Sequence, residues 1–403
     1  MSSPERRTVR DLRRGNRAVL LRNLYFAGPA SRHELSRLTG LSAASVSNVT
    51  GDLLAENIIV EAGMVDSDGG RPRTLLRVNR EFGYAIGVDV GETHVHVELF
   101  DLDMNMHAKA GFTLRSAQHD VDVVARHILA GIDAVLASAQ ASPEHVLGVG
   151  IAVPGIVESG PDTLVHAQTF GWDGVPLGAK VRAGTSLPLY IDNGAKTMGQ
   201  AELWFGSGRG FRHAIVLLIG SGVGAGIITG GLTYRGANSS AGEWGHTKIA
   251  VGGRACRCGA RGCLEAYIGA QGILERAGMS AEIESEQAAL GDLVRSGAPV
   301  VRETIDYLGA GLANLINLFN PERIVIGGWA GLLLARHELV RIKAAVAENS
   351  LSQPYQTVSI VPGRLGADAV ALGAATLVVD EFLLGAIPQA TDGSPANVTR
   401  LSG

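Results

Sequence analysis

Two glycine-dense turns constrain the fold of this chain more than any other feature of its sequence. GVDVGET occupies residues 87–93 and LLIGSGVGAGI occupies residues 217–227, and each turn joins two runs of strand-like residues. Glycine lets the backbone come close to a phosphate and point its N–H groups at it. Two such turns, about 130 residues apart, therefore favour descent from a nucleotide-binding cleft.

Strand-like and helix-like runs alternate from Gly83 onward. The strand-like runs include YAIGVDVGETHVHVELFD and VLGVGIAVPGIV, and VARHILAGIDAVLASAQ between them is helix-like. This alternation predicts an α/β domain. With 403 residues, 46% of them hydrophobic and 18% charged, the chain is long enough for two or three domains with substantial cores.

The first 80 residues predict a different architecture, built on three helices. Residues 16–27 form a helical run that Gly28 and Pro29 end, and a second helix begins at Ser31 with a capping box. Gly40 makes the turn into the third helix. Helix, helix, glycine-containing turn and helix is the order of a helix-turn-helix, whose last helix enters the major groove of DNA.

The third helix is predicted to begin at Ser42 and to bury Val46, Val49 and Leu53 on one face. The strand-like runs IIVEAG and TLLRVN then flank the tip DSDGGRPR, which predicts a winged helix-turn-helix. The tip is a short, stiff loop whose two guanidinium groups suit phosphates or a narrow minor groove. The DNA contacts predicted on the helix and in the wing are Ser42, Ser45, Ser47, Asn48, Arg71 and Arg73.

The distribution of charge agrees with a DNA-binding amino-terminal part. Residues 1–80 hold 13 arginines, no lysine and 8 acids, a net charge of +5, so the remainder carries −9 to give −4 for the chain. Basic segments suit phosphates. A helical oligomerisation module with a hairpin remains the alternative interpretation of these residues.

The three cysteines lie within eight residues, at Cys256, Cys258 and Cys263, and His246 precedes them by ten. Three thiolates and one imidazole complete the tetrahedral shell of Zn²⁺ and leave no position for an activated water. We therefore predict a structural zinc site in a reducing compartment. The alternative is three cysteines that are buried as small hydrophobic residues.

The segment AGEWGHTKIAVGGRACRCGARGCLEAYIG, which holds these residues, resembles the signature of the ROK family of repressors, open reading frames and sugar kinases. The resemblance extends from about Gly83 to Leu384. It implies a two-lobed actin- and hexokinase-like (ribonuclease H-like) ATPase fold, with the helical runs LGAGLANLINLF and DAVALGAATLVVDEFLL packed on the second lobe. A winged helix-turn-helix ahead of such a domain is similar to the repressor branch, which regulates genes of sugar metabolism.

The resemblance also implies which parts of the kinase site this chain has changed. Glu92 replaces the second glycine of the family's D-x-G-G-T loop, and Trp329 stands where a third glycine is usual in N-P-E-x-I-V-I-G-G-G. Aligned through ELWFG, the family's catalytic aspartate falls on Gly194, which cannot act as a general base. A one-residue gap would instead offer Asp192 as the base.

The positions that bind the sugar in family kinases are better preserved in this chain than the positions that bind the nucleotide. Asn193, Glu243, His246 and Glu265 match positions that bind sugar hydroxyls in the kinases. His246 is expected to serve twice, with one ring nitrogen on the metal and the other toward a hydroxyl. Thr169 departs from the pattern, because the kinases usually carry asparagine there.

These observations predict a sugar-responsive transcriptional regulator that binds operator DNA as a homodimer or higher homo-oligomer and has lost phosphoryl transfer. Two other functions remain open. One is an ATP-dependent sugar kinase with an added DNA-binding domain, and the other is a DNA-bound protein that answers to a protein partner.

We expect a DNA-binding domain at residues 1–80, a sugar-binding domain of two lobes at 81–385, and a disordered Pro-, Ser- and Gly-rich tail at 386–403. No apolar run of about 18 residues occurs, and the arginine-rich amino terminus lacks the apolar stretch of a signal peptide. We therefore expect a cytoplasmic protein with no membrane partner.

Overall fold

The structure is a computed structural model that describes residues 9–67, 70–114, 119–158, 163–279 and 285–385. The tail predicted to be disordered lies outside these residues. The chain divides into two compact units. The first comprises Met1–Tyr84, Ser142–Leu147 and Val379–Gly403, and the second comprises Ala85–Ala141 and Gly148–Val378.

The first unit contains three helices before its hairpin, as predicted. They are α1 (Val9–Ala27), α2 (Arg32–Thr39) and α3 (Ala43–Ala55). The capping box forms, because the Ser31 side chain accepts from the Glu34 backbone and Glu34 accepts from the Ser31 backbone. Gly40 ends α2 in the left-handed conformation at φ 71°, which glycine adopts without strain. The prediction erred at α1, which begins seven residues before residue 16.

The buried face of α3 differs by one position from the prediction. Val46 and Leu53 are fully buried, but Thr50 joins them and Val49 is half-buried. The Thr50 hydroxyl donates to the Val46 carbonyl at 2.8 Å and accepts from Arg32 Nε at 2.9 Å, so a polar residue is buried without an unsatisfied atom.

The hairpin consists of β2 (Ile59–Ser67) and β3 (Gly70–Val78), and the short strand β1 (Ala30–Ser31) pairs with β3 to give the order β1-β3-β2. Both strands are longer than the runs IIVEAG and TLLRVN. Arg71 and Arg73 therefore lie on strand β3 and not on a loop, which corrects the predicted tip. Antiparallel pairing extends the hairpin because Val65 lies opposite Arg73 and Ser67 lies opposite Gly70.

The second unit is built on two five-stranded sheets. The strands of the first sheet are β4 (Tyr84–Val90), β5 (His94–Phe100), β6 (Met106–Thr113), β7 (Val146–Val153) and β11 (Leu189–Asn193). A small sheet of β8 (Ile156–Glu158), β9 (Leu164–Ala167) and β10 (Trp172–Val175) follows β7 in the chain. The second large sheet contains β12 (Ala214–Ile219), β13 (Val223–Thr229), β14 (Leu232–Thr233), β15 (Arg323–Gly327) and β16 (Ser359–Pro362).

The two large sheets share one topology. Their strand orders are β6-β5-β4-β7-β11 and β14-β13-β12-β15-β16, so each reads 3-2-1-4-5 when its strands are numbered along the chain. In both sheets the first two strands form an antiparallel hairpin. The two glycine-dense turns close these two hairpins at residues 91–93 and 220–222, and they are called the first and second glycine turns below.

Helices cover these sheets. They are α4 (Val121–Ala139), α5 (Leu177–Arg182), α6 (Gly194–Trp204), α7 (Glu265–Ile268), α8 (Ala270–Arg276), α9 (Glu286–Arg295), α10 (Pro299–Phe319), α11 (Trp329–Asn349), α12 (Ser352–Thr357) and α13 (Ala369–Leu383). Helix α10 packs in the core of the second sheet, as predicted, since Leu308 and Leu312 belong to the same buried hydrophobic cluster as Leu217 and Ile324. No helix among the described residues is long and apolar enough to cross a membrane.

Helix α13 corrects part of a prediction: Ala369 and Val370 at its start pack with residues of the second sheet, as expected, but later residues pack on the first large sheet. A Cβ at Gly87 of β4 would lie 1.9 Å from the Ala371 carbonyl oxygen, and one at Gly150 of β7 would lie 1.8 Å from that of Ala374. Two strand glycines thus let the helix backbone approach the sheet. The hydrophobic pattern of the helix shows that one face is buried but does not show which sheet covers it.

Candidate functional site

Four potential metal ligands converge in the loop that joins the second sheet to α7. One ligand atom from each of His246, Cys256, Cys258 and Cys263 lies within 4.8 Å of the others. His246 Nδ1 is 3.7 Å from Cys256 Sγ, and Cys258 Sγ is 3.7 Å from Cys263 Sγ. Cys256 and Cys263 are buried, so the group is shielded from solvent.

These separations fit a tetrahedral ion of the size of zinc. With metal bonds of about 2.3 Å to sulfur and about 2.0 Å to nitrogen, tetrahedral edges come to about 3.8 Å between two sulfurs and about 3.5 Å between sulfur and nitrogen. A set of three soft thiolates and one imidazole selects zinc over magnesium or calcium. The residues present therefore fit the group that the sequence predicted.

The local sequence explains how the loop reaches this geometry. Gly262 has φ 76°, and a Cβ there would lie 1.7 Å from the Ala250 carbonyl oxygen, so only glycine fits before Cys263. Gly259 also has a positive φ, of 84°. Lys248 Nζ is 2.8 Å from Cys263 Sγ, where an ammonium offsets part of the negative charge of three thiolates.

In the first glycine turn, the carboxylate of Glu92 pairs with a cation of the protein itself. Glu92 Oε2 accepts from Arg257 Nη1 at 2.6 Å, although the two residues are 165 positions apart. Arg257 Nη2 also donates to the Ser221 carbonyl at 3.1 Å and lies 3.4 Å from Glu265 Oε1. Burial raises the pKa of Glu92, and the guanidinium of Arg257 opposes that shift. Arg257 stands between Cys256 and Cys258. The loop that holds the four potential metal ligands, residues 246–263, is called the metal loop below, and it contributes this cation.

The second glycine turn is covered on two sides. A Cβ at Gly222 would lie 3.3 Å from Glu92 Oε1 and 3.6 Å from Arg257 Nη2. A Cβ at Gly220 would lie 3.2 Å from Trp329 Nε1. The side chains that replace family glycines, Glu92 and Trp329, thus lie against the backbone that would face a nucleotide's phosphates.

The strip from Asp192 to Gly194 joins β11 to α6. Asn193 caps the helix, because its Oδ1 accepts from the backbone N–H groups of Ala195 and Lys196, and its Nδ2 donates to the Gly155 carbonyl at 2.7 Å. Asp192 is buried, accepts from the Asn193 backbone at 2.8 Å and forms an ion pair with Arg235. Both of its carboxylate oxygens are therefore engaged, which disfavours Asp192 as a general base.

Gly194 is the first residue of α6. A Cβ at this position would meet nothing closer than Val370 Cγ1 at 3.7 Å, which is ordinary van der Waals contact. The fold therefore does not require glycine here, because a Cβ at the position would meet only ordinary contacts.

Three of the four predicted sugar ligands, Glu243, His246 and Glu265, lie in one neighbourhood. Glu243 is within electrostatic range of Lys196, His246 and Glu265, and burial raises its pKa. Glu265 is buried and its Oε2 accepts from the Val223 backbone at 3.0 Å. In His246, Nδ1 is the nitrogen directed at Cys256, which leaves Nε2 as the atom for a second partner.

Thr169 lies in a short helical turn after β9. Its Oγ1 is buried and has no hydrogen-bond partner among the residues that the structure describes. A buried hydroxyl without a partner is costly, which makes this atom a candidate contact for a bound polar ligand.

In the first unit, the predicted DNA-contacting residues of α3 are partly exposed. Ser42, Ser47 and Asn48 are exposed, whereas Ser45 is half-buried and its backbone donates to the Ser42 side chain at the start of the helix. Arg73 is exposed on β3. The side chain of Arg71 lies outside the described residues.

Sequence reasoning missed two cations of this site. Arg257 occupies the variable position between Cys256 and Cys258, so the cysteine motif does not mark it. Lys196 is buried, and its ammonium donates to the Ser239 carbonyl at 2.6 Å, which anchors the loop before Glu243. The available signal was the unpaired carboxylate that Glu92 brings into a phosphate loop, since a buried acid needs a cation.

Known proteins resemble the chain over almost its whole length. A xylose repressor of Caldicellulosiruptor bescii is 31% identical and aligns with 92% of this chain and 97% of its own length. The crystal structure of a ROK family transcriptional regulator, a homologue of the E. coli MLC protein, is 26% identical, with a TM-score of 0.78 over 93% of this chain and 99% of that one. A ROK family glucokinase from Streptomyces griseus, in complex with glucose and AMPPNP, is 28% identical, with a TM-score of 0.61 over 73% of this chain and 99% of its own.

These likenesses confirm the predicted fold, an amino-terminal helix-turn-helix followed by a two-lobed kinase-like α/β domain. The ROK family itself matches residues 85–381. Because this match spans most of the chain and a repressor aligns with nearly all of it, the protein belongs to the ROK family.

Proposed function

We propose that this protein is a sugar-responsive transcriptional repressor of carbohydrate-metabolism genes that no longer transfers phosphate. The observation that carries the proposal is the Arg257–Glu92 ion pair, which lies against the second glycine turn. A nucleotide's phosphates would have to displace a bonded pair and meet the Glu92 carboxylate. The relatives that span both parts of the chain are regulators, and one is named a xylose repressor.

The DNA-binding role is assigned to residues 1–80. Helix α3 is proposed to enter the major groove with Ser42, Ser45, Ser47 and Asn48 toward the bases, and the hairpin is proposed to serve as a wing with Arg71 and Arg73 on phosphates. The net charge of +5 in these residues supports this assignment. Two half-sites in an operator imply a homodimer or a higher homo-oligomer. The protein would work in the cytoplasm, where the DNA is.

The sugar-binding role is assigned to residues 81–385. Asn193, Glu243, His246 and Glu265 are proposed to hold sugar hydroxyls, because carboxylates, an amide and an imidazole together supply both donors and acceptors. The unpartnered Thr169 hydroxyl suggests one further contact. The xylose repressor relative makes xylose the first sugar to test.

A structural zinc ion is proposed for His246, Cys256, Cys258 and Cys263. When bound, the ion would cross-link a loop that has little secondary structure of its own. His246 is also a proposed sugar ligand. A bound sugar would therefore affect the conformation of the metal loop and, through Arg257, that of the first glycine turn.

The alternative of an active sugar kinase is favoured by one observation, the intact glycines of the second turn in a chain that also resembles a glucokinase. Incubation of the purified protein with ATP, Mg²⁺ and a panel of pentoses, hexoses and amino sugars decides between them. We expect no sugar-dependent release of ADP. ADP formed in stoichiometric or larger amounts with one sugar would overturn the loss of phosphoryl transfer.

A further inference from the structure

A second group of potential metal ligands lies apart from the cysteines, at the hairpin of β4 and β5. One ligand atom from each of Asp89, His94 and His96 lies within 4.8 Å of the other two. The proposed function assigns no role to either histidine. Asp89 precedes the first glycine turn and His94 follows it directly, so anything bound here bears on that turn.

The strand register brings the three side chains together. In the antiparallel pair of β4 and β5, Asp89 lies opposite His96. His94 and His96 are two positions apart on one strand, so they share a face of the sheet. Their rings stack with centroids 4.2 Å apart and an interplanar angle of 27°. His94 Nε2 lies 3.2 Å from Asp89 Oδ2.

Neighbouring residues make room for both imidazoles and orient one of them. A Cβ at Gly91 would lie 2.4 Å from His94 Cε1, and a Cβ at Gly111 would lie 3.2 Å from His96 Cδ2. Thr93 Oγ1 is 3.4 Å from His94 Nδ1. A metal-ligating histidine commonly holds a polar partner on its other nitrogen, and the hydroxyl of Thr93 supplies one while Nε2 faces the carboxylate.

The charge around the histidines favours a cation. Asp89 and Asp368 lie within electrostatic range of His96, and Lys109 lies there as well. Lys109 is itself committed to Asp368 and to Glu98, which is 2.8 Å away. Around His96, the two carboxylates of Asp89 and Asp368 therefore outnumber the one ammonium, and the surplus negative charge favours a bound cation.

We propose that Asp89, His94 and His96 form a second metal site, which takes a divalent ion that accepts imidazole nitrogen, such as Zn²⁺ or Co²⁺, in preference to Mg²⁺. Two imidazoles and one carboxylate are a ligand set used by such ions, and it leaves coordination positions open for water or a ligand. An ion here would replace the His94–Asp89 hydrogen bond and would fix both ends of the first glycine turn.

The test is a metal titration of the full-length protein that already carries one zinc ion in the cysteine site. Calorimetry with Co²⁺ should show one further equivalent. The absorption spectrum of this bound Co²⁺ should lack the thiolate-to-cobalt charge-transfer band, because no sulfur is a ligand. The variants H94A and H96A should bind this second equivalent more weakly by about 100-fold or more and keep the first zinc.

Two matched variants separate the sites. C258S should lose the cysteine-site zinc and keep the second equivalent. H107A is the control for loss of a histidine, since His107 Nε2 lies 3.4 Å from Asp101 Oδ2 in a similar pair that belongs to no group of three potential metal ligands among the described residues. It should leave the metal stoichiometry unchanged.

A wild-type protein that binds only one equivalent would overturn the proposal, as would a second equivalent that survives in the double variant H94A/H96A. If the histidine variants do not fold, the wild-type protein still decides. Bound Co²⁺ should shift the imidazole proton resonances of two histidines, and a spectrum in which none is shifted would also overturn it. The kinase assay has no bearing on these outcomes.

Discussion

Gly194 stands at the position of the family's catalytic aspartate in the sequence comparison, and the structure shows what a side chain there would meet. Position 194 has room for a side chain, so the glycine is not imposed by packing. The proposed loss of phosphoryl transfer therefore rests more on the glycine turns, where Glu92 and Trp329 lie against Gly222 and Gly220 and Arg257 pairs with Glu92.

The variant G194D should therefore fold normally and remain inactive as a kinase. The new Cβ would meet only ordinary contacts, but the phosphates of ATP would still face Glu92 and Trp329. Sugar-dependent ADP release and thermal denaturation would be measured together. The triple variant G194D/E92G/W329G is the comparison. Robust turnover in G194D alone would show that the glycine turns are no obstacle.

Removing Arg257 should destabilise the second unit more than removing Arg261 of the same loop. In R257A, Glu92 would keep its buried carboxylate without a cation. The Arg257 and Glu92 side chains are 25% and 21% exposed, so we expect a loss of about 2 kcal/mol in the free energy of unfolding, less than for a fully buried pair. Denaturant unfolding measures it.

The control R261A should change stability by less than about 0.5 kcal/mol, because Arg261 is exposed and its Nε only reaches the Gly252 carbonyl at 3.4 Å. The double variant E92Q/R257A should recover part of the loss, since no unpaired carboxylate remains. Equal unfolding free energies for R257A and R261A would contradict the ion-pair argument.

At the scale of single residues, the sequence predicts which side chains are potential metal ligands, but it does not predict which cation pairs with Glu92. Cysteine spacing predicts a metal loop because the four ligands are near in sequence and constrained by glycine. The partner of Glu92 is 165 residues away, and no local pattern connects the two. Only the folded arrangement of both hairpins brings Arg257 to it.

We expect the arginines of the β2–β3 hairpin to contribute to the dependence of DNA affinity on salt concentration. R73A should weaken operator binding about equally for all sequences and reduce the slope of log affinity against log salt by about 1, because an exposed guanidinium on a phosphate releases about one counterion. R71A should behave in the same way. Fluorescence anisotropy with labelled duplexes at several salt concentrations measures both quantities.

The matched control is R77A, at the other end of the same strand, where Arg77 is half-buried and donates to the Val78 carbonyl at 3.3 Å. It should leave the salt slope unchanged. If R71A and R73A both bind DNA like the wild type, the oligomerisation interpretation of the first 80 residues becomes the better one.

The metal loop should depend on its ion for order. Chelation of the wild-type protein, or the variant C258S, should lower the melting temperature, because the thiolates and imidazole lose the ion that links them. Metal analysis and thermal denaturation check this. Chelator added to C258S is the internal control and should cause little further change. An apo protein as stable as the metal-bound one would contradict a structural zinc.

Elements were predictable where their signals are local. The capping box at Ser31 and the turn at Gly40 placed α2 correctly, whereas α1 begins earlier because nothing at residue 16 marks a start. Strand lengths in the hairpin and the sheet that receives α13 depend on pairing and on the distant glycines 87 and 150, which the local sequence does not reveal.

For the whole molecule, the domain boundary at residue 80 stays a prediction, and the structure adds contacts between segments that are distant in the chain. The first compact unit includes Ser142–Leu147 and the chain from Val379 as well as the amino-terminal residues. Arg22 of α1 forms an ion pair with Asp380, which joins segments that are 358 positions apart. A linear sequence pattern contains no information on such long-range contacts, so it does not predict them.

Linkage at this scale requires that sugar and DNA affect each other equally. If sugar weakens operator binding by some factor, the operator must weaken sugar binding by the same factor. Coupling between two sites is typically 5- to 150-fold in affinity, which is well within the range of binding measurements.

The central claim, that the protein senses sugar and does not consume it, is tested most directly by operator affinity measured with and without sugar. The duplex would be selected from a random library by the protein itself, and xylose, glucose and amino sugars would be added at millimolar concentration in the absence of ATP. We predict that one sugar changes the Kd for the operator by at least about fivefold. An unchanged Kd with every sugar would contradict the account and favour a regulator that answers to a protein partner.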